Sequence, residues 1–236
     1  MGLPCLILGS CKNRVDENAN PFFSAYNTPF DVPPFEKIHA VHYMPAFEKG
    51  MEEGKKDIEK LISNTEEPNF ENTVGALDKS GELLSKVSQV FFAQASANTS
   101  DSLQNIEMEV SPRLAAYQDE IVLNPELFKR VKHVYENQAS ETLTDEQKFL
   151  LENLYKEFVR NGANLSKVDQ DTLMNINQKL SVLAVKFSQN VLAETNDYKL
   201  FVGKDGLAGL PESIADAAAA TAKDAGRGSN RCGFAR

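Results

Sequence analysis

Two runs of apolar residues at helical spacing, between Leu143 and Thr195, constrain this chain more than any other feature. In the first, Leu150, Leu151, Leu154, Tyr155, Phe158 and Val159 form one stripe of a helix. In the second, Leu173, Ile176, Leu180, Leu183, Phe187 and Val191 recur at intervals of 3-4-3-4-4, close to a coiled-coil seam. The ends of both runs are marked. Thr144 with Gln147 three residues on is a capping box, each side chain able to satisfy the other's backbone N–H. Asn161-Gly162 is a stop, because Gly takes the left-handed conformation without steric cost. Ser166 with Asp169 restarts the chain. The pattern predicts a long helical hairpin.

The rest of the chain reads the same way. Phe47, Met51, Gly54, Ile58 and Leu61 give a stripe for a first helix, with Pro45 suited to its first position. Asn69 can cap a second helix carrying Phe70, Val74, Leu77, Gly81, Leu84, Ser88, Phe91 and Ala95 on one face. The small residues in that stripe predict a closely approaching neighbour. A third helix holds Leu103, Ile106, Val110, Leu114, Tyr117 and Ile121, with a kink expected at Pro112. Asn124-Pro125 opens a fourth, with Leu127, Phe128, Val131, Val134 and Tyr135.

Past the hairpin the period changes. Tyr198–Val202 reads as a short strand, Gly203–Gly206 as a turn, and Glu212 to about Lys223 as an alanine-rich helix. The fold class is therefore mostly α, a multi-helix lobe with one short β-strand or hairpin near 198–209. The expected segments are 1–11 as a lipoprotein signal, 12–35 as a polar tether and a Pro/aromatic arm, and 36–223 as the helical lobe. Residues 224–236 are aperiodic and read as a disordered or non-native tail. In the arm, Pro21, Pro29, Pro33 and Pro34 exclude a helix interior. Its Phe22, Phe23, Tyr26, Phe30 and Phe35 are expected to pack on the body.

Composition removes several functions. A net charge of -9 on 236 residues, and a pI near 5.0, argue against nucleic-acid binding, which needs a basic surface. No apolar run reaches the roughly 20 residues of a membrane-spanning helix. The three cysteines, Cys5, Cys11 and Cys232, lie at the extreme ends, so a disulfide framework is not expected. Leu8-Gly9-Ser10-Cys11 resembles a bacterial lipobox, with Cys11 as the lipid attachment site. That reading expects a periplasmic or outer-membrane lipoprotein; a cytoplasmic protein is the alternative.

No catalytic constellation is visible. The histidines are His39, His42 and His133 only. His39 and His42 would share a helix face, but Ala40 follows His39, so the H-E-x-x-H zinc pattern is missing. A polar cap on the first helix is the plainer role. There is no G-x-S-x-G, G-x-x-x-x-G-K or G-x-G-x-x-G motif. Glu52-Glu53 and Glu66-Glu67 read as solvated surface, since neither pair has apolar residues on both sides to raise a carboxyl pKa. From the residues alone, the catalytic and metal assignments are none.

Specific stretches carry a resemblance. Asn20–Glu53 (NPFFSAYNTPFDVPPFEKIHAVHYMPAFEKGMEE), PNFENTVGALDKSGELLSKV, NPELFKRV, LTDEQKFLLENLYKEFVRNGANL and LFVGKDGLAGLPESIADAAA occur in this order. Together they resemble the N-terminal portion of the peptidyl-dipeptidases of the thimet oligopeptidase family. Phe70–Thr73 and Leu207–Pro211 are the most telling pieces. The resemblance implies a helical lobe beside a deep channel that admits short peptides, and an enzyme that releases C-terminal dipeptides. It implies zinc held by H-E-x-x-H and a downstream Glu. No position here matches those residues, so no cofactor is expected in this chain itself. The expectation is the N-terminal part of a zinc metallopeptidase, inactive alone, with the missing catalytic half as its partner and with apolar surface left uncovered. A standalone helical binding or scaffold protein is the alternative.

Overall fold

The computed structural model describes residues 20–226 and the backbone of 231–235. Cys11, the apolar segment before it and the tether through Ala19 lie outside the described residues. The chain forms two compact units, divided between Val182 and Leu183.

The first unit is helical throughout. Its first helix, α1 (Ala40–Ile62), buries Phe47, Met51, Gly54, Ile58 and Leu61, the stripe its spacing predicts. It begins five residues before Pro45, which sits inside it. The ring removes only the bond its N–H would donate to Val41, and the burial of the whole stripe outweighs that loss. Similarly, α4 (Asp101–Val122) runs on through Pro112 as a single helix, with Leu103, Val110 and Tyr117 buried.

The expected second helix is broken. Phe70–Gly75 is a turn of π-helix and Ala76–Asp78 a single α turn, α2. The next helix, α3, is Glu82–Ala97. The break is at Gly81, whose φ of 66° is left-handed and whose N–H donates to Asp57 Oδ2 at 3.1 Å. The small residues of the stripe do mark a close crossing. A Cβ on Gly50 of α1 would lie 2.9 Å from the Leu84 backbone of α3. At Gly54 it would run into the Tyr117 hydroxyl.

Next comes α5 (Pro125–Asn137), capped by Asn124, whose Oδ1 accepts from Glu126 N and Leu127 N at 3.0 Å each. It packs on α6 (Asp145–Arg160), where the Thr144–Gln147 capping box forms in both directions. Three apolar clusters result. The arm, α1, α3 and α4 share Phe22, Tyr43, Phe47, Phe91 and Val110. The far ends of α1 and α4 join α5 and α6 through Ile58, Val122, Val131 and Phe158. The π turn meets α5 and α6 through Phe70, Val74, Val134 and Leu151. Each large side chain fully buried contributes about 1.5–3 kcal/mol.

The arm packs only in part. Phe22 is buried, and Phe23 and Tyr26 are half-buried. Phe30 is 99% exposed and Phe35 46%. Thr28 Oγ1 donates to the Val32 carbonyl at 2.5 Å, closing a small loop. Phe30 and Asp31 sit in it with left-handed φ of 59° and 53°, and the Phe30 ring is turned outward.

The largest departure is α7 (Lys167–Asp197), one unbroken helix of 31 residues. Its seam is not the packed face. Ile176 is 54% exposed, Leu180 60%, Leu183 61%, Phe187 71% and Val191 48%. Polar bonds hold its inward face together with apolar packing. Asn177 Nδ2 donates to Asp119 Oδ1 on α4 at 2.7 Å, and both are shielded. Buried Gln170 donates to the Gly162 carbonyl at 3.3 Å. Leu173, Met174 and Val182 are half-buried on the same side as Gln170, Asn177 and Ser181, and Val185 is buried, so the inward face mixes polar and apolar residues and takes in only Leu173 of the seam.

In the second unit, β1 (Lys199–Gly203) pairs antiparallel with β2 (Arg231–Ala235), Lys199 opposite Ala235 and Gly203 opposite Arg231. The strand predicted at 198–202 is therefore shifted by one residue. Its partner comes from the segment read as a disordered tail. Ladder pairing uses backbone groups, so an aperiodic sequence did not disclose it. The last helix, α8 (Glu212–Asp224), buries Ala218 and Ala222 and lies against β2.

Candidate functional site

The three histidines do not converge. His39 precedes α1 and its N–H donates to His42 Nδ1 at 3.0 Å. The two rings lie 5.5 Å apart. This is the polar cap expected from the sequence. His133, on α5, pairs with Glu67 at 3.0 Å. Among the described residues no three His, Cys, Asp or Glu side chains form a group that could hold a metal ion. The residues present therefore do not fit a zinc centre.

His42 has a consequence for stability. Burial, and then the nearby His39, hold its pKa below the ordinary 6.5. The unfolded chain thus binds the proton more tightly than the fold does. The stabilisation from neutral His42 is complete above about pH 6.5 and is lost as the pH falls through the lower folded value. Denaturant midpoints at about pH 7.5 and pH 5 are expected to diverge more in the wild type than in His42→Gln. Equal pH dependence in the two proteins would remove His42 from this role.

The acidic pairs behave as surface groups. Glu52 accepts from Lys56 at 2.6 Å, and that bond and charge hold its carboxyl below the usual range. Glu53 pairs with Lys49 at 3.9 Å. A cleft of about 750 Å³ opens between the arm and α3, lined by Tyr26, Asp31, Pro33, Glu82, Lys86 and Val90. Lys86 is committed to structure there. Its Nζ donates to the carbonyls of Phe22 at 3.1 Å and Ser24 at 2.7 Å, and lies 4.0 Å from the centre of the Tyr26 ring. Burial lowers its pKa, with Glu82 and Asp31 acting in the opposite sense. It pins the arm to α3. Tyr43 donates to Gln94 Oε1, and burial pushes its hydroxyl up to about 12.

The cluster that sequence reasoning missed surrounds Phe70–Thr73. Asn72 Oδ1 accepts from Asn69 N at 2.9 Å, from Thr73 Oγ1 at 2.9 Å and from Arg130 at 3.1 Å. Its Nδ2 donates to the Glu67 carbonyl at 2.9 Å. Buried Arg130 also reaches the Asn64 carbonyl at 2.8 Å. Glu141 Oε2 accepts from Phe70 N at 3.0 Å. The sequence signal was the Asn-x-x-Asn spacing of Asn69 and Asn72; the partner Arg130, 58 residues on, had none. This network fixes the π turn and carries no reactive group.

Sequence similarity to known proteins gives the class: the chain belongs to the thimet oligopeptidase family of peptidases. Within that family it is 37% identical over 208 residues to dipeptidyl carboxypeptidase of Escherichia coli K12, a match covering 88% of this chain. To dipeptidyl carboxypeptidase of Salmonella typhimurium it is 36% identical over 210 residues, 89% of this chain. To oligopeptidase A of E. coli the figure is 28% over 197 residues, 83% of this chain. The chain spans 30%, 31% and 29% of the lengths of these relatives. No family model matches it.

Proposed function

We propose that this chain forms a helical wall of a peptidase that acts on short peptides and releases C-terminal dipeptides, while residues elsewhere hold the zinc. The observation carrying this reading is its higher identity to the two dipeptidyl carboxypeptidases than to oligopeptidase A, at 37% and 36% against 28%. The dispersed histidines supply the other half of the argument, because a hydrolytic zinc needs about three converging protein ligands. The wall then acts by shape and polar surface, and the chain alone is inactive.

The test is a chimera in which the matched stretch of the E. coli dipeptidyl carboxypeptidase is replaced by residues of this chain. Dipeptide release from a blocked short peptide should persist. A folded, zinc-loaded chimera without that activity would sink the proposal, as would zinc-dependent hydrolysis by the 236-residue chain alone. An acyl anchor at Cys11 would hold the wall at a membrane on the periplasmic side. A fatty-acid analogue should then label the wild type and not Cys11→Ser; equal labelling of both refutes the anchor.

One observation favours a second reading, a helical binding or scaffold protein: the uncovered stripe of α7. Retention of that binding without any activity in the chimera would select it.

A further inference from the structure

A cavity of about 300 Å³ opens beside the break at Gly81, wholly within the first unit. Three parts of the chain wall it. Leu77 and Leu84 come from α2 and α3, Ile121 and Val122 from α4, and Leu154 and Phe158 from α6. Together they make an apolar bed, at a volume where small-molecule sites begin.

The walls also set one donor there that the protein leaves unused. Tyr117 lines the cavity and is only 8% exposed, yet its hydroxyl bonds to no described residue. The hydroxyl is fixed in place. It fills the space that a Cβ on Gly54 would need, and it lies 3.7 Å from where one on Gly81 would sit. Gly81 is itself part of the cavity wall. Burial, then Asp57 and Glu120, hold the Tyr117 pKa above the ordinary 10.0, so the phenol is a neutral donor at pH 7. A shielded O–H without an acceptor is costly, and a guest that accepts from it recovers that cost.

The charge at the cavity has one sign. Glu157 is the only charged residue lining it, and among the described residues its carboxylate is in no ion pair. Behind the wall, Asp57 Oδ2 accepts from Gly81 N at 3.1 Å. Glu120, the other acid acting on Tyr117, is paired with Lys55. A guest with a positive end is therefore favoured over an anion.

We propose that this cavity binds a small apolar group carrying an ammonium and a carbonyl: the body on the apolar bed, the ammonium at Glu157, and the carbonyl accepting from the Tyr117 hydroxyl. The N-terminal Leu or Phe residue of a short peptide and a free amino-acid amide share this chemistry. The site uses no catalytic group and does not depend on the peptidase reading.

The probes are L-phenylalaninamide, its N-acetyl twin and a pentapeptide amide beginning with Phe, each titrated into the full chain and followed by amide chemical shifts. L-Phenylalaninamide should give saturable shifts at Gly81, Leu84 and Leu154, and bind at least about threefold tighter than the acetylated twin. Glu157→Gln, at an exposed position, should close that gap. Tyr117→Phe should weaken both ligands at least about twofold. Ser88→Phe, which fills the cavity from another lining position, should abolish binding, and its amide spectrum reports that the fold is kept. A pentapeptide that binds as well as the amide identifies a peptide N-terminus as the guest; exclusion of the pentapeptide identifies a free small amine. Equal affinity for L-phenylalaninamide and its acetylated twin overturns the proposal. So do shifts that survive Ser88→Phe, or the absence of saturable shifts, which leaves the cavity to water.

Discussion

Phe91→Ala is expected to lower the stability of the first unit by about 3–5 kcal/mol, the cost of emptying a fully buried aromatic site. Phe91 on α3 is wholly shielded from solvent and is the meeting point of three rings. Tyr43 lies 5.0 Å away by ring centroid and Phe47 5.4 Å, both on α1 and both edge-on. Phe92 lies 5.1 Å away on its own helix. Edge-to-face pairs of this kind add about 0.5–1.5 kcal/mol beyond area burial. The truncation would therefore remove packing from the arm, α1 and α3 at once. Urea unfolding should show a lower midpoint with an unchanged slope. Phe91→Leu, which refills much of the volume, should recover more than half of the loss. A change under about 1 kcal/mol in Phe91→Ala would mean the three rings do not share a core.

The second large effect is expected at Arg130. Its side chain is buried, and it donates to the Asn64 carbonyl, the Asn72 side chain and, more weakly at 3.5 Å, the Glu66 carbonyl. Two of the acceptors lie in the link between α1 and the π turn, and the third, Asn72, lies in the π turn itself. Arg130→Met keeps the apolar stem but removes the side-chain donor to the Asn64 and Glu66 carbonyls, while Asn72 keeps its bonds from Asn69 and Thr73, and the expected cost is about 3 kcal/mol. Arg130→Lys should recover little, because an ammonium cannot span separate acceptors as the planar guanidinium does. Hydrogen exchange supplies a local readout. The amides of Asn69 and Asn72, which bond within this network, should exchange faster in Arg130→Met, while those of α4 stay protected. Uniform acceleration across the unit would show instead that the substitution acts globally.

Most of the helical framework was legible because its signals are local. The stripe of α1 is buried as spaced, and the caps at Asn124, Thr144 and Ser166 form the bonds their types predict. What was not legible depended on partners distant in the chain. Gly81 reads equally well as a small contact residue and as a left-handed joint, and only its bond to Asp57 decides. Pro45 looks like a helix start until tertiary burial overrides it, whereas Pro112 was read inside its helix and lies there. The seam of α7 was read correctly as one face. Periodicity shows which residues share a side, however, and not whether anything lies on it. The inward side carries two amides, Gln170 and Asn177, that no hydrophobic pattern reveals, beside Leu173, Met174, Val182 and buried Val185. Of the candidate site, the role of His39 and His42 as a polar cap at the start of α1 was legible because it is local, whereas the pairing of His133 with Glu67 joins distant parts of the chain.

The crossing of α1 with its neighbours also sets a rule for how this sequence can drift. Gly54 has no room for a methyl because the Tyr117 hydroxyl of α4 fills the space, while Gly50 has none because the Leu84 backbone does. The first obstacle is a side chain and can be traded; the second is main chain and cannot. Position 54 should therefore covary with position 117, gaining an alanine only where the tyrosine has shrunk. Position 50 should stay glycine however far the rest of the lobe diverges.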